Sequence, residues 1–230
     1  MIEKSARHEN KKRYPEAIIL YMILFLSGST AALTGANRIE AGGEIGFSIT
    51  TELLKVFVYI IPSIALIFYL MQGSWKIDFR TLKPGKKDLF CGLLAFPFLL
   101  ITGAAISYMS VYVSGNSVQL IYITPSTIIG WLVLCISCLF SAYLEEVFFR
   151  FYLISVKDDL NMSTSTVLIF STALFAICHI YEGPWGFLNA AISGFILGFI
   201  FISSKSLHGI SVAHALYNMT AFTLNAASNN

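Results

Sequence analysis

The stretch SAYLEEVFFR, Ser141 to Arg150, sets Glu145, Glu146 and Arg150 inside a long apolar run. An ionised side chain at the centre of a bilayer costs from about 2.5 to well over 10 kcal/mol. The surroundings are those of a membrane protein. The chain has 230 residues, of which 56% are hydrophobic and 12% charged, about half the charged fraction of a soluble domain. Runs of about 20 apolar residues recur along its length, each enough to cross a hydrocarbon core. Three charges kept in such a place need something to offset their cost.

Working outward, seven candidate spans are expected near 16–35, 53–72, 88–113, 125–156, 164–181, 186–204 and 207–226. All should be helical, because backbone in lipid must satisfy its own hydrogen bonds. The fold class is therefore all-α and polytopic. Pro62 and Pro97 fall inside the second and third spans and are expected to kink them. YEGPWG, 181–186, is a tight-turn signal, so the fifth and sixth spans should be antiparallel neighbours. Gly194 and Gly198 form a G-x-x-x-G, a signal of close helix packing. The N-terminal segment has the basic and apolar parts of a secretory signal, but reads as an uncleaved first span.

Lysine and arginine set the expected orientation. Lys4, Arg7, Lys11, Lys12 and Arg13 lie in the N-terminal tail, and five more fill the second connection, GSWKIDFRTLKPGKKD. Lys157 and Lys205 lie in the fourth and sixth connections, whereas the alternate connections hold Arg38. The positive-inside rule then gives a cytoplasmic N-terminus and an outside C-terminus. The net charge of +2 and the lack of a basic patch interleaved with aromatics give no reason to expect nucleic acid. Cys135 and Cys138 form a C-x-x-C, but in an apolar helix without a βαβ context they read as small packing residues.

Within the spans, Glu146 and Arg150 are four residues apart on one helix face and can pair. Glu145 points about 100° away and lacks that partner. An unpaired glutamate in an apolar site is suited to act as a general base. His179 ends FAICH, with Phe175 one turn earlier. His214 begins HALYN, with Asn218 on the same face. His208 lies near the boundary on another face. Each group alone has a packing explanation, but three helices supplying Glu-Glu, His, and His with Asn point to a polar active or transport site. No G-x-S-x-G or H-E-x-x-H is present. A carboxylate with an imidazole can activate water, and a second imidazole with an amide can donate to the developing oxyanion.

These motifs, E-E-x-x-x-R in EEVFFR, F-x-x-x-H in FAICH and H-x-x-x-N in HALYN, occur in that order on successive helices. Over roughly Trp131 to Phe222 the chain resembles the CAAX protease and bacteriocin-processing (CPBP, or Abi) family of intramembrane endopeptidases. The resemblance implies a four-helix catalytic core at 121–230, preceded at 1–120 by three spans without a specific motif. It implies Glu145 as the base that activates water, His179 as its partner, Glu146 as a brace held by Arg150, and His214 with Asn218 as the oxyanion pair. Phe175 and Arg150 would support the site. The implied substrate is a hydrophobic or lipidated protein or peptide, cut near its C-terminus or within a membrane segment. No cofactor is expected; a zinc ion is the alternative, since two His and two Glu can bind one. The expected location is a prokaryotic cytoplasmic membrane. The rival readings are a non-catalytic immunity or scaffold protein of the same fold and a proton-coupled transporter.

Depth is the difficulty. Measured from the cytoplasmic helix ends, Glu145 lies about 17 Å deep, His214 about 10 Å and His179 about 24 Å at 1.5 Å per residue. Tilted or staggered helices are needed to close the site, and a wet cavity open to the cytoplasm is the expected solution.

Overall fold

The structure, a computed structural model, describes residues 13–26, 47–73, 82–114, 123–158 and 160–228. The remainder of the first expected span, the connection with Arg38, and Lys76 and Arg80 of the second connection lie outside the described residues. The protein is an all-α polytopic membrane protein. Helix α1 covers 13–26, running as α over Arg13–Tyr21 and as π over Met22–Leu26. Helix α2 covers 49–73, α3 Lys86–Ser114 and α4 Ile128–Ser155. Helix α5 is Thr164–Cys178, followed by a 3-10 turn at Ile180–Glu182, then α6 at Gly183–Ser204 and α7 at Leu207–Ser228.

The helices start where their sequences supply an acceptor for the orphaned first-turn amides. Ser48 accepts from the Thr51 amide at 3.3 Å, Thr127 from that of Gly130 at 3.1 Å, and Ser163 from that of Thr166 at 3.1 Å. The turn into α6 uses Gly183 at φ +79°, with proline in the first turn, where no amide partner is needed. Helix α6 ends at Lys205, which takes a left-handed conformation at φ 56° and returns its amide to Phe201 at 2.7 Å.

By length and composition, Ile49–Gln72, Lys86–Val113, Ile128–Ser155 and Ile180–Ser204 are long and apolar enough to cross a membrane. Helix α5 is shorter than the 164–181 span expected: its 15 residues reach only about 22 Å. The expected prolyl kinks meet a local solution in one case. Pro62 follows a π-helical stretch at Lys55–Ile60, where the hydrogen-bond ladder has already shifted by a residue. Pro97 lies within the continuous helix α3.

Apolar side chains such as Ile18, Leu89, Phe90, Tyr112 and Ile128 face outward, as a lipid-facing surface requires. Inside, Phe148, Phe149, Tyr152, Phe175 and Phe201 are almost wholly buried. In lipid such a core is held by close packing, since moving apolar surface from lipid to protein gains little. Tyr21 ties α1 to this core by donating to the Leu174 carbonyl at 3.0 Å, and Tyr59 joins α2 to α1 through the Leu24 carbonyl. Helix α3 packs on α6 and α7, so the N-terminal half forms walls around the motif-bearing helices.

Candidate active site

The site begins at a change of helix geometry. Helix α4 is α-helical to Glu146 and π-helical over Val147–Tyr152. Arg150 therefore sits on a widened turn, a feature often found at functional positions. Its Nε lies 3.2 Å from Glu146 Oε2, and both side chains are almost wholly buried. This is an ion pair outside hydrogen-bond alignment. The guanidinium has two further contacts: Nη2 donates to the Gly194 carbonyl at 3.1 Å, and the group lies 4.3 Å from the centre of the Phe175 ring. Together these contacts offset the burial of a cation in the bundle.

Gly194 makes that approach possible. A Cβ at this position would lie 2.8 Å from Phe175 Cδ1 and 3.2 Å from Arg150 Nη2. The G-x-x-x-G of α6 is thus a contact surface for the arginine, a use that the spacing alone did not reveal. Its second glycine, Gly198, faces Leu168 of α5.

His214, on α7, stands between the two glutamates. Its Nδ1 is 2.9 Å from Glu146 Oε1 and its Nε2 is 3.6 Å from Glu145 Oε2. A carboxylate only accepts, so Nδ1 carries the proton that Glu146 binds. Glu146 is fully buried, whereas the Glu145 side chain is 21% exposed. Glu145 Oε2 is buried without a hydrogen-bond partner. The adjacent carboxylates therefore occupy different environments, one held by Arg150 and His214, the other on a cavity wall.

His179 caps the C-terminus of α5. Its Nδ1 is 2.8 Å from the Phe175 carbonyl, which can only accept, so Nδ1 carries the proton and Nε2 is the remaining nitrogen. His179 has no ion-pair contact with Glu145; the imidazole in reach of Glu145 is that of His214. Phe175 lies 4.6 Å from the His179 ring and 5.9 Å from that of His214, centre to centre. It thereby supports both histidines as well as Arg150. His208 is elsewhere, between the Tyr143 hydroxyl at 2.9 Å and the Leu82 carbonyl at 2.6 Å.

A cavity of about 670 Å³ brings Glu145, His179, His214 and Asn218 to one space. Its walls also carry residues whose role the motifs did not suggest: Glu52, Lys55, Tyr59, Ser137 and Glu182. Ser137 donates to Glu52 at 2.5 Å, and Lys55 pairs with Glu52 at 3.4 Å. Glu52 and Lys55 are three residues apart at the start of an apolar run, a pattern that reads as boundary charge until α4 is seen beside it. Cys138 is buried on the wall and Cys135 exposed on the outer surface; both are free thiols.

The cavity does not run toward the lysine-bearing connections, as expected from the sequence. Below Glu145, residues Glu146, Phe148, Phe149, Arg150 and Tyr152 form a buried floor. The lining instead continues to Ser110, Ile123 and Phe47 at the other end of the bundle. Helix α5 ends at Cys178, so that His179 stands at its C-terminus on the cavity wall. Among the described residues, no three His, Cys, Asp or Glu side chains are grouped so as to hold a metal ion.

Residues 125–220 match the family model for Type II CAAX prenyl endopeptidase Rce1-like. No curated protein and no solved structure gave a match. The matched region runs from Pro125, two residues before the α4 cap, into the second half of α7, and so contains all three motifs. Over residues 125–220, about two fifths of the chain, the protein is similar to the Rce1-like type II CAAX prenyl endopeptidases.

Proposed function

We propose that the protein hydrolyses a peptide bond in a hydrophobic or lipidated polypeptide, using water activated by Glu145. The observation that carries this reading is the difference between the two glutamates. Glu146 is committed to Arg150 and His214, whereas the partly exposed Glu145 side chain lines the cavity, its buried Oε2 without a hydrogen bond among the described residues and 3.6 Å from His214 Nε2. A carboxylate so disposed can accept a proton from water as the oxygen attacks the scissile carbonyl carbon. It can then return that proton to the amine as the carbon–nitrogen bond breaks. His179 Nε2, in its neutral form, orients the water as a second acceptor. The Asn218 amide is the donor for the oxyanion, a contribution worth about 10²–10³ in rate in enzymes of this kind. His214 holds Glu145 and Glu146 in register and joins Asn218 at the oxyanion when it carries both protons. The family name implies a membrane-associated, prenylated substrate protein.

The test uses purified protein in detergent micelles with a prenylated CAAX peptide and hydrophobic membrane-segment peptides, with products read by mass spectrometry. Wild-type protein is expected to cleave at least one, and Glu145→Gln none, with the helical signal and melting temperature retained. Cleavage by Glu145→Gln at the wild-type rate removes Glu145 as the base. Wild-type protein that cleaves nothing overturns the protease reading in favour of a non-catalytic scaffold.

A further inference from the structure

We infer that the catalytic cavity is entered from the non-cytoplasmic face of the membrane, and that its substrate is a neutral or cationic hydrophobic segment presented on that face. The word substrate rests on the protease reading; the direction of entry does not.

The direction follows from where the lining residues sit along their helices. Ser107 and Ser110 lie about 31 and 36 Å along α3 from Lys86 at 1.5 Å per residue. Glu52 and Lys55 lie about 31 and 27 Å from the end of α2 at Gly73. Trp185 lies about 28 Å from the end of α6 at Ser204. Glu145 is only about 15 Å from the end of α4 at Ser155. The ends used as origins are neighbours, since Lys87 reaches the Lys205 carbonyl at 3.5 Å and Ser206 donates to Asp88 at 2.5 Å. The far walls are neighbours too, since Ser137 bonds Glu52. The cavity thus extends from Glu145 away from the end that carries Lys86, Lys157 and Lys205, and the buried aromatic floor closes it on the lysine side.

Charge gives that axis a direction in the membrane. Twelve of the fifteen lysines and arginines fall, in sequence, in the N-terminal tail, the 73–88 connection, Lys157 and Lys205, and the described Lys83, Lys86, Lys87, Lys157 and Lys205 lie at one end of the bundle. An excess of this kind marks the cytoplasmic side. The opposite end, toward which the cavity runs, is then outside.

The lining charge selects what enters. Among the described residues, the wall carries Glu52, Glu145 and Glu182 against one lysine, Lys55, which Glu52 already pairs, and two imidazoles at its inner end, His179 and His214, of which His214 faces Glu145 and Glu146. Such a passage repels an added carboxylate and tolerates a cation. A segment of an exported or membrane-inserted polypeptide, flanked by neutral or basic residues, fits it better than an anionic chain end.

The test is accessibility of single cysteines to a membrane-impermeant maleimide, with the labelling of the native thiols subtracted. Ser107→Cys on the cavity wall should label in intact cells, and Lys86→Cys at the opposite end only in inside-out vesicles. Ser107→Cys that labels only in inside-out vesicles, or labels from neither face, overturns the inference. So does labelling of Lys86→Cys in intact cells. A Leu/Ala-rich peptide flanked by lysines, added outside, should slow labelling of Ser107→Cys several-fold more than its glutamate-flanked analogue. Equal protection by both peptides, or protection by neither, overturns the charge selection. Labelling needs no turnover, so these outcomes are independent of whether Glu145 is the base.

Discussion

His214 lies within 2.9 Å of Glu146 and 3.6 Å of Glu145, so one imidazole on α7 spans two adjacent carboxylates on α4. Substitutions at the two glutamates should consequently separate activity from stability. Glu145→Gln is expected to lower peptide cleavage by about 10²–10⁴, the range of a lost general base, with little change in melting temperature. Glu146→Gln leaves Arg150 buried without its counter-charge, which is expected to destabilise the protein by about 3–5 kcal/mol. Thermal unfolding in detergent, followed alongside the cleavage assay, reads both.

Arg150 acts through geometry as well as charge. Arg150→Lys keeps a cation but loses the planar group over Phe175 and the donor to the Gly194 carbonyl. The expected result is a lower melting temperature, and activity that falls because Glu146, and through it His214, is less firmly held. A lysine variant as stable and active as wild type would count against this account.

Gly194→Ala should be damaging although it adds only a methyl group. The added carbon meets Phe175 at 2.8 Å, and overpacking in a tight core costs about 1–3 kcal/mol. Gly85, where nothing lies within 4 Å of an added Cβ, is the control. Gly85→Ala is expected to leave the melting temperature close to that of wild type.

Asn218→Leu removes the proposed oxyanion donor while keeping the branching and heavy-atom count of the side chain. Asn218 is half-buried on the cavity wall with no hydrogen bond to lose among the described residues, so the fold is expected to survive. Turnover should drop about 10²–10³-fold with KM little changed, since the donor acts on charge that develops in the transition state.

Prolonged dialysis against a chelator tests the zinc alternative. The expected outcome for glutamate-activated water is unchanged cleavage. Loss of cleavage that zinc restores would assign the water to a metal ion instead.

The sequence determined that this is an all-helical membrane protein and which residues its helices hold in lipid. Those conclusions rest on composition, on helical periodicity and on the free-energy cost of buried charge, which are local properties of the chain. The pairing of Glu146 with Arg150 was legible for the same reason, since four residues on a helix fix which side chains meet. Tertiary structure decided what no local spacing encodes. His214 lies beside both glutamates because α7 packs against α4 there, and His179 at the end of α5 shares the cavity with them because of how the helices pack. The glycine of α6 serves Arg150 because two helices pack closely, and Glu52 meets Ser137 from a helix 85 residues away in sequence. The direction of the cavity is likewise a property of packing. The chain marks one end of the bundle with lysines, but only the aromatic floor beneath Glu145 decides from which end the site can be reached.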